Sequence, residues 1–252
     1  DGIHSQVRTQ LFGPISEEAM GYAAFRSVVP MEEVPAELAP NSVLCWCGPG
    51  YHLVHYPLRG GTLFNMVAVV SYSRADEEAG RLPERLQEAF AGACAPMQTL
   101  VKHIDLSRHW PIKDITPLSS WARGRVCLIG DAAHAKVQAM AQGACQAIED
   151  GVKLAECVER YDGDYIQAFD ALVKERLLRT TRVHHMSRYM WEVIHVRSPL
   201  TELRRDMLGQ LSEAEWVESL SWLYEKPDGA SGGKPYAPVM EGGLGGATAG
   251  VV

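Results

Sequence analysis

The sequence lacks the features that mark several broad classes of protein. Its 252 residues contain no apolar run of membrane-spanning length and no visible signal peptide. A net charge of −7 with a pI near 5.7 leaves no basic surplus for nucleic acid phosphates. The six cysteines form no Cys-x-x-Cys pair and no disulfide-framework spacing, so a reducing compartment is the simplest fit. We therefore expect a cytoplasmic protein that binds neither membranes nor nucleic acid.

The most informative stretch that is present, residues 124–151, predicts a strand, a loop and a helix. Val126 to Ile129 is a short apolar run, and Gly130-Asp131 follows it directly. Four apolar residues then recur at helical spacing, and this pattern predicts a buried helix face. They are Ala144, Ile148, Val152 and Ala155.

The loop and the start of this helix have the chemistry of a cradle for a polar, anionic ligand. Asp131, at the end of a strand, is placed to accept hydrogen bonds from a sugar diol. Gln142, Gly143 and Ala144 open the helix, where unpaired N–H groups and the positive end of the helix dipole face outward. Because Gly143 has no side chain, a flat ring can approach the backbone closely there.

These residues resemble a known family, the single-component FAD-dependent aromatic hydroxylases of the p-hydroxybenzoate and salicylate hydroxylase type. Residues 130–134 (Gly-Asp-Ala-Ala-His), 142–144 (Gln-Gly-Ala) and 149–150 (Glu-Asp) look like the second flavin motif of that family. Residues 1–8 are similar to its Asp-Gly motif, which in relatives serves both flavin and nicotinamide nucleotide. Two motifs in the right order are a strong signal, and the resemblance covers about residues 1–224.

The resemblance implies FAD and NAD(P)H as cofactors. The flavin-binding candidates are Gly130, Asp131, Gln142, Gly143 and Ala144, and the candidates for the nicotinamide-nucleotide face are His4 and Arg8.

The chain also departs from the family pattern. Ala135 and Lys136 stand where relatives usually have Pro after the motif His, and Cys145 stands where many relatives have Asn. No Gly-x-Gly-x-x-Gly turn for a pyrophosphate occurs early in the chain, and there is no initiator Met. We therefore expect this chain to be the C-terminal part of a longer enzyme, beginning inside its FAD domain.

Four strand-like runs between the two motifs predict an antiparallel sheet. They are residues 22–30, 42–47, 51–56 and 62–72, and Gly-Pro-Gly and Arg-Gly-Gly punctuate them as hairpin turns. In the resembled family this sheet roofs the substrate. Arg26 in the first run faces the flavin, a substrate carboxylate or solvent, and we leave it outside the predicted site.

The third run carries the main catalytic candidates. Alternation of side chains along a strand places His52 and Tyr56 on one face and His55 on the other, which excludes a metal shared by the two histidines. An imidazole is suited to take a proton from a phenol near neutral pH, and the resemblance points the same way; a packing histidine is the alternative. Gln138, in the loop of the second motif, is a candidate to bond a substrate oxygen, with a loop-to-backbone bond as the alternative.

The predicted fold class is α/β, or α+β by stricter naming: part of a FAD-binding Rossmann-like domain, an inserted antiparallel substrate-binding sheet, and C-terminal helices. The predicted divisions are residues 1–20 (Asp-Gly motif), 21–118 (sheet), 119–162 (second motif), 163–224 (C-terminal helices) and 225–252 (a flexible tail rich in Gly, Pro and Ala). Helices are predicted over 81–91, 97–104, 165–196 and 211–224, and the basic run 174–182 is expected to be a solvated helix face.

The resemblance implies a FAD-dependent monooxygenase that uses NAD(P)H and O2 to hydroxylate a phenolic or hydroxypyridine carboxylic acid. Its predicted catalytic residues are His52, Tyr56 and Gln138; no metal site is predicted, and a homodimer is left open. Two alternatives remain. One is a flavin monooxygenase of another substrate class, such as an isoprenoid epoxidase, and the other is a truncated chain without enzymatic activity.

Overall fold

The computed structural model describes residues 1–224, and a five-stranded antiparallel sheet lies at their centre. Along the chain the strands are β1 (Glu17–Pro30), β2 (Leu44–Gly48), β3 (Tyr51–Leu58), β4 (Leu63–Ser71) and β5 (Trp110–Ile115). Their order across the sheet is β2-β3-β4-β1-β5. A separate two-stranded ribbon pairs β6 (Ala122–Arg123) with β7 (Val126–Cys127). The predicted tail, residues 225–252, lies outside the described residues.

Glycines form the two hairpins that fix the register of the sheet. Between β2 and β3, Gly50 has a φ of +79°, and a Cβ there would lie 2.8 Å from the Ser71 hydroxyl. Between β3 and β4, Gly60 and Gly61 have φ of +65° and +87°, a region that glycine adopts without steric cost. The predicted antiparallel sheet and its hairpin turns are confirmed.

Helices surround the sheet and make up the C-terminal part of the described chain. They are α1 (Gln6–Phe12), α2 (Arg74–Glu78), α3 (Leu82–Ala91), α4 (Ala95–Leu100), α5 (Asp131–His134), α6 (Gly143–Arg160), α7 (Tyr165–His195), α8 (Leu200–Gly209) and α9 (Glu213–Tyr224). The helical patterns predicted over 81–91 and 165–196 are confirmed as α3 and α7. None of the helices in residues 1–224 combines the length and the apolar character that crossing a bilayer requires.

The two faces of the sheet pack against different parts of the chain. On one face, fully buried side chains such as Phe25, Leu53 and Met66 pack with Leu86 of α3 and Leu100 of α4, and each contributes about 2 kcal/mol by leaving water. On the other face a smaller apolar cluster joins the sheet to α7; it consists of Ala24, Val69, Ile112, Val137 and Trp191. Polar side chains on this second face stay partly uncovered, so it is the face that is available for binding.

The predicted buried face of the cofactor helix is wrong. In α6, Ile148 and Val152 are 67% and 57% exposed, and Ala144 and Ala155 are exposed as well. The side chains that α6 turns inward are Gln146, Asp150 and Cys157. Helical spacing identifies residues that share a face, but it does not say which face is covered, and here ion pairs hold the polar face inward.

The prediction of a solvated basic face on α7 is also wrong in part. Arg176 is buried, and it forms ion pairs with Glu149 and Asp150 of α6. Arg179 is mostly buried and pairs with Glu149 as well. Two of the arginines in the basic run therefore bind α7 to the cofactor helix, while Lys174 remains exposed.

Candidate active site

The turn that leads into the second motif needs a glycine at position 130. Gly130 has a φ of +59°, and a Cβ there would lie 3.1 Å from the Cβ of Ala147, which is tighter than ordinary van der Waals contact. The next residue, Asp131, begins the short helix α5 and is exposed. The chain thus passes close beneath α6 and then presents a carboxylate to the surface.

A set of buried charges, here called the Asp150 network, supports this turn from below. One Asp150 oxygen accepts hydrogen bonds from the Gly130 N–H at 3.0 Å and from His134 Nε2 at 2.6 Å. The other accepts from Arg176 Nε at 2.8 Å. Burial by itself raises the pKa of Asp150, but these bonds outweigh it and hold the pKa below its ordinary value. Asp150 is therefore an ionised anchor for the motif, and Glu149 completes the network through Arg176.

Lys136, two residues after the motif histidine, extends the network. Because Asp150 can only accept from Nε2 of His134, the Nδ1 of His134 is free to accept a hydrogen bond from Lys136 Nζ at 3.0 Å. Burial lowers the pKa of Lys136 to about 8, although Asp131 and Asp150 act in the opposite direction. The Lys136 ammonium group thus lies beside the motif loop, and its burial there costs part of its hydration free energy.

Four predicted residues come together as the cradle, which consists of Asp131, Gln142, Gly143 and Ala144. A Cβ on Gly143 would have only Asp131 Oδ1 near it, at 3.9 Å, so the glycine is open on its outer side and the carboxylate is adjacent. Gln142 is buried at the N-cap of α6, and its side chain does not cap the helix. The first N–H groups of α6 have no intrahelical partner, and within residues 1–224 no donor is bonded to the Asp131 carboxylate.

The second group of predicted residues lies on the sheet face that α7 partly covers. His52 is 3% exposed, and its Nδ1 lies 2.8 Å from Nε2 of His195 at the end of α7. Tyr56 lies two pleats further along β3 on the same face, where it pairs with Asn65 of β4. His55 points to the other face and accepts from Trp46 Nε1 at 2.7 Å, so the predicted separation of the two histidines is confirmed.

Gln138 connects the motif loop to this face of the sheet. Its Oε1 accepts a hydrogen bond from Arg26 Nη2 at 2.8 Å, and the Arg26 guanidinium also lies over the Trp110 ring, 5.9 Å from its centroid. Gln138 therefore bonds a side chain of the sheet and not the loop backbone. We use the name open sheet face for Arg26, His52, Tyr56, Asn65 and Gln138.

The two predicted nucleotide contacts of the first motif lie elsewhere. Arg8 is buried, and its guanidinium donates to the backbone carbonyls of Ala132, at 3.0 Å, and Ile3. It joins the first motif to the second, which does not support a direct contact with nicotinamide nucleotide. His4 is exposed, and its Nδ1 lies 2.7 Å from a Glu17 oxygen, so it stays a candidate.

Three residues on or beside the open sheet face are not among the site residues predicted from the sequence. Arg26 was recognised but had no partner until the loop placed Gln138 against it. Asn65 carries a buried amide nitrogen that has no hydrogen-bond partner in residues 1–224. In the sequence, the only indication that Asn65 belongs to the site is its polar side chain at an inward position of a central strand. His195 is 143 residues from its partner His52, and no sequence pattern indicated the pairing.

Comparison with known proteins now assigns this fold to a family. The family described as FAD binding domain matches residues 1–184. The chain belongs to this family. As an FAD binding domain protein it is 37% identical over 227 residues to the 3-hydroxybenzoate 6-hydroxylase of Polaromonas naphthalenivorans (strain CJ2), a match that covers 89% of the chain and 56% of that relative. It is 33% identical over 193 residues to the 6-hydroxynicotinate 3-monooxygenase of Pseudomonas fluorescens, covering 74% and 50%.

A solved structure supports the same FAD binding domain assignment. HpxO of Klebsiella pneumoniae, complexed with FAD and uric acid, matches with a TM-score of 0.77 at 27% identity, covering 87% of this chain and 57% of that chain. The chain therefore spans little more than half the length of the relatives it matches. The resemblance to the flavoprotein aromatic hydroxylases and the mixed helix and antiparallel sheet fold class are confirmed.

Proposed function

We propose that the protein acts as a FAD-dependent monooxygenase that hydroxylates a phenolic or hydroxypyridine carboxylic acid with NAD(P)H and O2. The observation that carries the proposal is the position of His52. It is a buried imidazole on the same sheet face as Tyr56 and the Arg26–Gln138 pair. The motif loop that supplies Gln138 also supplies the cradle, so the two groups of residues are neighbours.

The cradle fits the isoalloxazine and ribityl parts of FAD. Asp131 offers an exposed carboxylate for hydroxyl groups, and the N–H groups of Gly143 and Ala144 at the positive end of α6 favour negative charge on a bound ring. When bound and reduced by NAD(P)H, FAD supplies the reaction with O2 that delivers one oxygen atom to the aromatic ring. With FAD bound, the cradle residues would hold the flavin ring next to the motif loop that carries Gln138.

His52 performs the proton transfer in this proposal. Burial and, less strongly, the neighbouring His195 lower the pKa of His52 to about 3 in the free chain, so the imidazole is neutral and has a nitrogen lone pair to offer. When it takes the phenol proton, the phenolate formed beside it stabilises the imidazolium and raises that pKa. Loss of the proton raises the electron density of the ring at the moment it is attacked. Tyr56 lies about 13 Å further along the same strand face, where it is proposed to contact a more distant part of the substrate.

Polar groups on the open sheet face favour a substrate that carries a carboxylate. Arg26 supplies a guanidinium that is exposed on one side, and the buried amide nitrogen of Asn65 has a free donor. Such donors suit an aromatic acid, and the relatives named above act on 3-hydroxybenzoate and 6-hydroxynicotinate, which both combine a ring hydroxyl with a carboxylate. An isoprenoid epoxidase would need an apolar tunnel here, and these donors argue against it. A cytoplasmic location and a homodimer stay predictions.

The first experiment is a visible absorption spectrum followed by NAD(P)H oxidation with a panel of hydroxybenzoates and hydroxypyridine carboxylates. It is run on the 252-residue chain and on the full product of its gene. We expect flavin bands in the gene product, oxidation stimulated by one class of aromatic acid, and a hydroxylated product by mass spectrometry. A gene product that takes up no added FAD would overturn the proposal.

Replacement of His52 by Ala tests the assigned base. Loss of a positioned proton acceptor is expected to lower kcat by about 10²-fold to 10⁴-fold, with FAD content unchanged because His52 lies outside the cradle. His185, an exposed histidine of α7, provides the matched control, since His185→Ala is expected to leave kcat unchanged. Equal turnover by wild type and His52→Ala at a pH where the substrate is a neutral phenol would contradict the assignment.

A further inference from the structure

We propose that His195 is a positioning residue for His52: it accepts the hydrogen bond of His52 Nδ1–H and so selects the tautomer whose Nε2 is free to take the substrate proton. The catalytic part of this inference rests on the proposed function. The tautomer itself is a property of the folded chain and is measured without turnover.

The direction of each hydrogen bond follows from the end of α7. His195 Nδ1 lies 2.8 Å from the backbone carbonyl oxygen of Trp191. A carbonyl oxygen only accepts, so Nδ1 of His195 carries the hydrogen. Burial lowers the pKa of His195 to about 4, so the ring is neutral and its Nε2 holds a lone pair. That nitrogen is 2.8 Å from Nδ1 of His52, which must therefore be the donor.

Nε2 of His52 is the unprotonated nitrogen of that ring. A neutral imidazole carries one hydrogen, and the bond to His195 places it on Nδ1. In the described part of the chain no donor is bonded to Nε2 of His52. The nitrogen that faces away from His195 is thus a bare lone pair, which is the state that a proton acceptor needs.

Packing removes the alternative orientations of both rings. His195 is buried, and its ring centroid lies 4.6 Å from that of Trp191 and 4.4 Å from that of Tyr22. The edge of Trp191 also meets His52 at 87°, with centroids 5.6 Å apart. With neighbours on these sides, neither imidazole has room to flip without disturbing the apolar cluster.

The backbone that carries His195 is fixed to the strand beside His52. Arg204 of α8 donates to the carbonyl of Ile194 at 2.7 Å and to the carbonyl of Cys47 at 3.4 Å. Cys47 is the residue of β2 that pairs with His52 in the sheet. The guanidinium therefore ties the last turn of α7 to the strand register, and the distance between the two imidazoles is set by the fold.

Nuclear magnetic resonance of the protein labelled with 15N-histidine reads the tautomer directly. In the wild type we expect Nδ1 of His52 to appear as a protonated nitrogen and Nε2 as an unprotonated one. In His195→Leu, which has no acceptor, we expect the hydrogen of His52 to move to Nε2 in most molecules. His195→Gln offers an amide oxygen in place of Nε2, and we expect it to restore the wild-type pattern. His185→Leu, at the exposed histidine of α7, is expected to change nothing.

Kinetics of the FAD-loaded gene product test the consequence. We expect His195→Leu to lower kcat about 10-fold to 100-fold, the range found when a partner that orients a metal-bound histidine is removed, with little change in KM. His195→Gln is expected to recover most of the loss. If His195→Leu does not fold, His195→Asn replaces it, because the shorter amide keeps the bond to Trp191 and loses the acceptor for His52.

The outcomes separate the two proposals. A wild-type His52 with its hydrogen on Nε2, or an unchanged tautomer in the Leu or Asn variant, would overturn the inference. So would equal kcat in wild type and His195→Leu when His52→Ala is impaired. If the tautomers behave as expected but no aromatic acid is hydroxylated by any variant, the proposed function fails and the tautomer assignment stands.

Discussion

The Asp150 network and the open sheet face differ in how their polar groups are satisfied. In the network, each charge has an opposite charge or a directed hydrogen bond: Asp150 meets Arg176, His134 and the Gly130 N–H. On the open sheet face, the buried amide nitrogen of Asn65 is without a partner among the described residues, and Arg26 is exposed. Satisfied groups hold a shape, whereas unsatisfied groups have bonding capacity left for a ligand.

This contrast separates two roles of polar residues in the protein. The polar residues of the network build the turn and the cradle, and removing them should cost stability. The polar residues of the open sheet face contribute little to folding, and removing them should cost substrate binding. The four changes below test that separation, beginning with the largest expected effect.

Replacing Arg176 by Leu should break the network. Asp150 and Glu149 would lose their shared partner, and a buried carboxylate left without its counter-ion costs about 3 to 5 kcal/mol. We expect a loss of this size in the free energy of unfolding, measured by urea denaturation with circular dichroism. Lys174→Leu, two residues earlier and exposed, is the control and should stay within about 0.5 kcal/mol of wild type. A loss below about 1 kcal/mol for Arg176→Leu would show that the network is not the anchor described here.

Lys136 should give the stability a dependence on pH. Its pKa is lowered from 10.5 to about 8 in the folded chain, so between these values the unfolded chain binds the proton that the folded chain has released. The free energy of unfolding contributed by this group therefore rises with pH through that window, by up to about 3 kcal/mol.

Lys136→Met removes this titration. We compare the free energy of unfolding of the variant with that of wild type. The advantage of the variant should be largest near pH 7, and it should shrink by about 2 to 3 kcal/mol as the pH approaches about 10. Urea unfolding of both proteins across the range measures it. A difference that is constant with pH would mean that Lys136 keeps an ordinary pKa.

Arg26→Leu should act on binding and leave folding intact. Loss of a charged donor to a carboxylate is expected to cost about 1.5 to 3 kcal/mol, which is a rise in KM for the aromatic acid of about 10-fold to 100-fold, with FAD content and unfolding unchanged. Arg74→Leu removes an exposed arginine of α2 that pairs with Glu78 and is the control. If Arg26→Leu lowered stability as Arg176→Leu does, the proposed division between the two regions would fail.

Asn65→Leu should produce the smallest overall effect of the four changes. The substitution removes a buried amide nitrogen that has no partner, so the free energy of unfolding should stay within about 1 kcal/mol of wild type or rise slightly. KM for the aromatic acid should increase, and Asn65→Asp, which keeps the shape but replaces the donor by a negative charge, should weaken binding further. Marked destabilisation by Asn65→Leu would indicate that the amide already has a partner in the folded protein.

Much of the sheet was predictable because a strand has only two faces. The alternation around His52 and the glycine turn at Gly50 are local properties, and both were read correctly from the sequence. The face of α6 was not predictable in this way. Its apolar stripe at Ile148 and Val152 was identified correctly but assigned to the wrong side, because the side that turns inward is chosen by a pairing with Arg176, 26 residues from Asp150.

The candidate site likewise contains residues that a local pattern predicts and residues that only the fold brings in. Asp131, Gly143 and the motif loop follow from a short pattern, and the structure assembles them next to one another. His195 and Asn65 belong to the site only through contacts between distant segments. A histidine is not unusual in a helix, so no local signal distinguished His195 from an ordinary packing residue. The one local signal for Asn65 was a polar residue at an inward position of a strand.

The length of α7 limits which insertions and deletions the protein can tolerate. One helix carries Arg176 in the Asp150 network and His195 against His52, and these two positions, 19 apart, are separated by about 28 Å along the helix axis. Inserting or deleting a single codon between these positions would turn one end relative to the other by about 100° and shift it by about 1.5 Å. In homologous proteins, the exposed residues between these two positions should therefore vary freely, while the number of residues between the two positions stays constant.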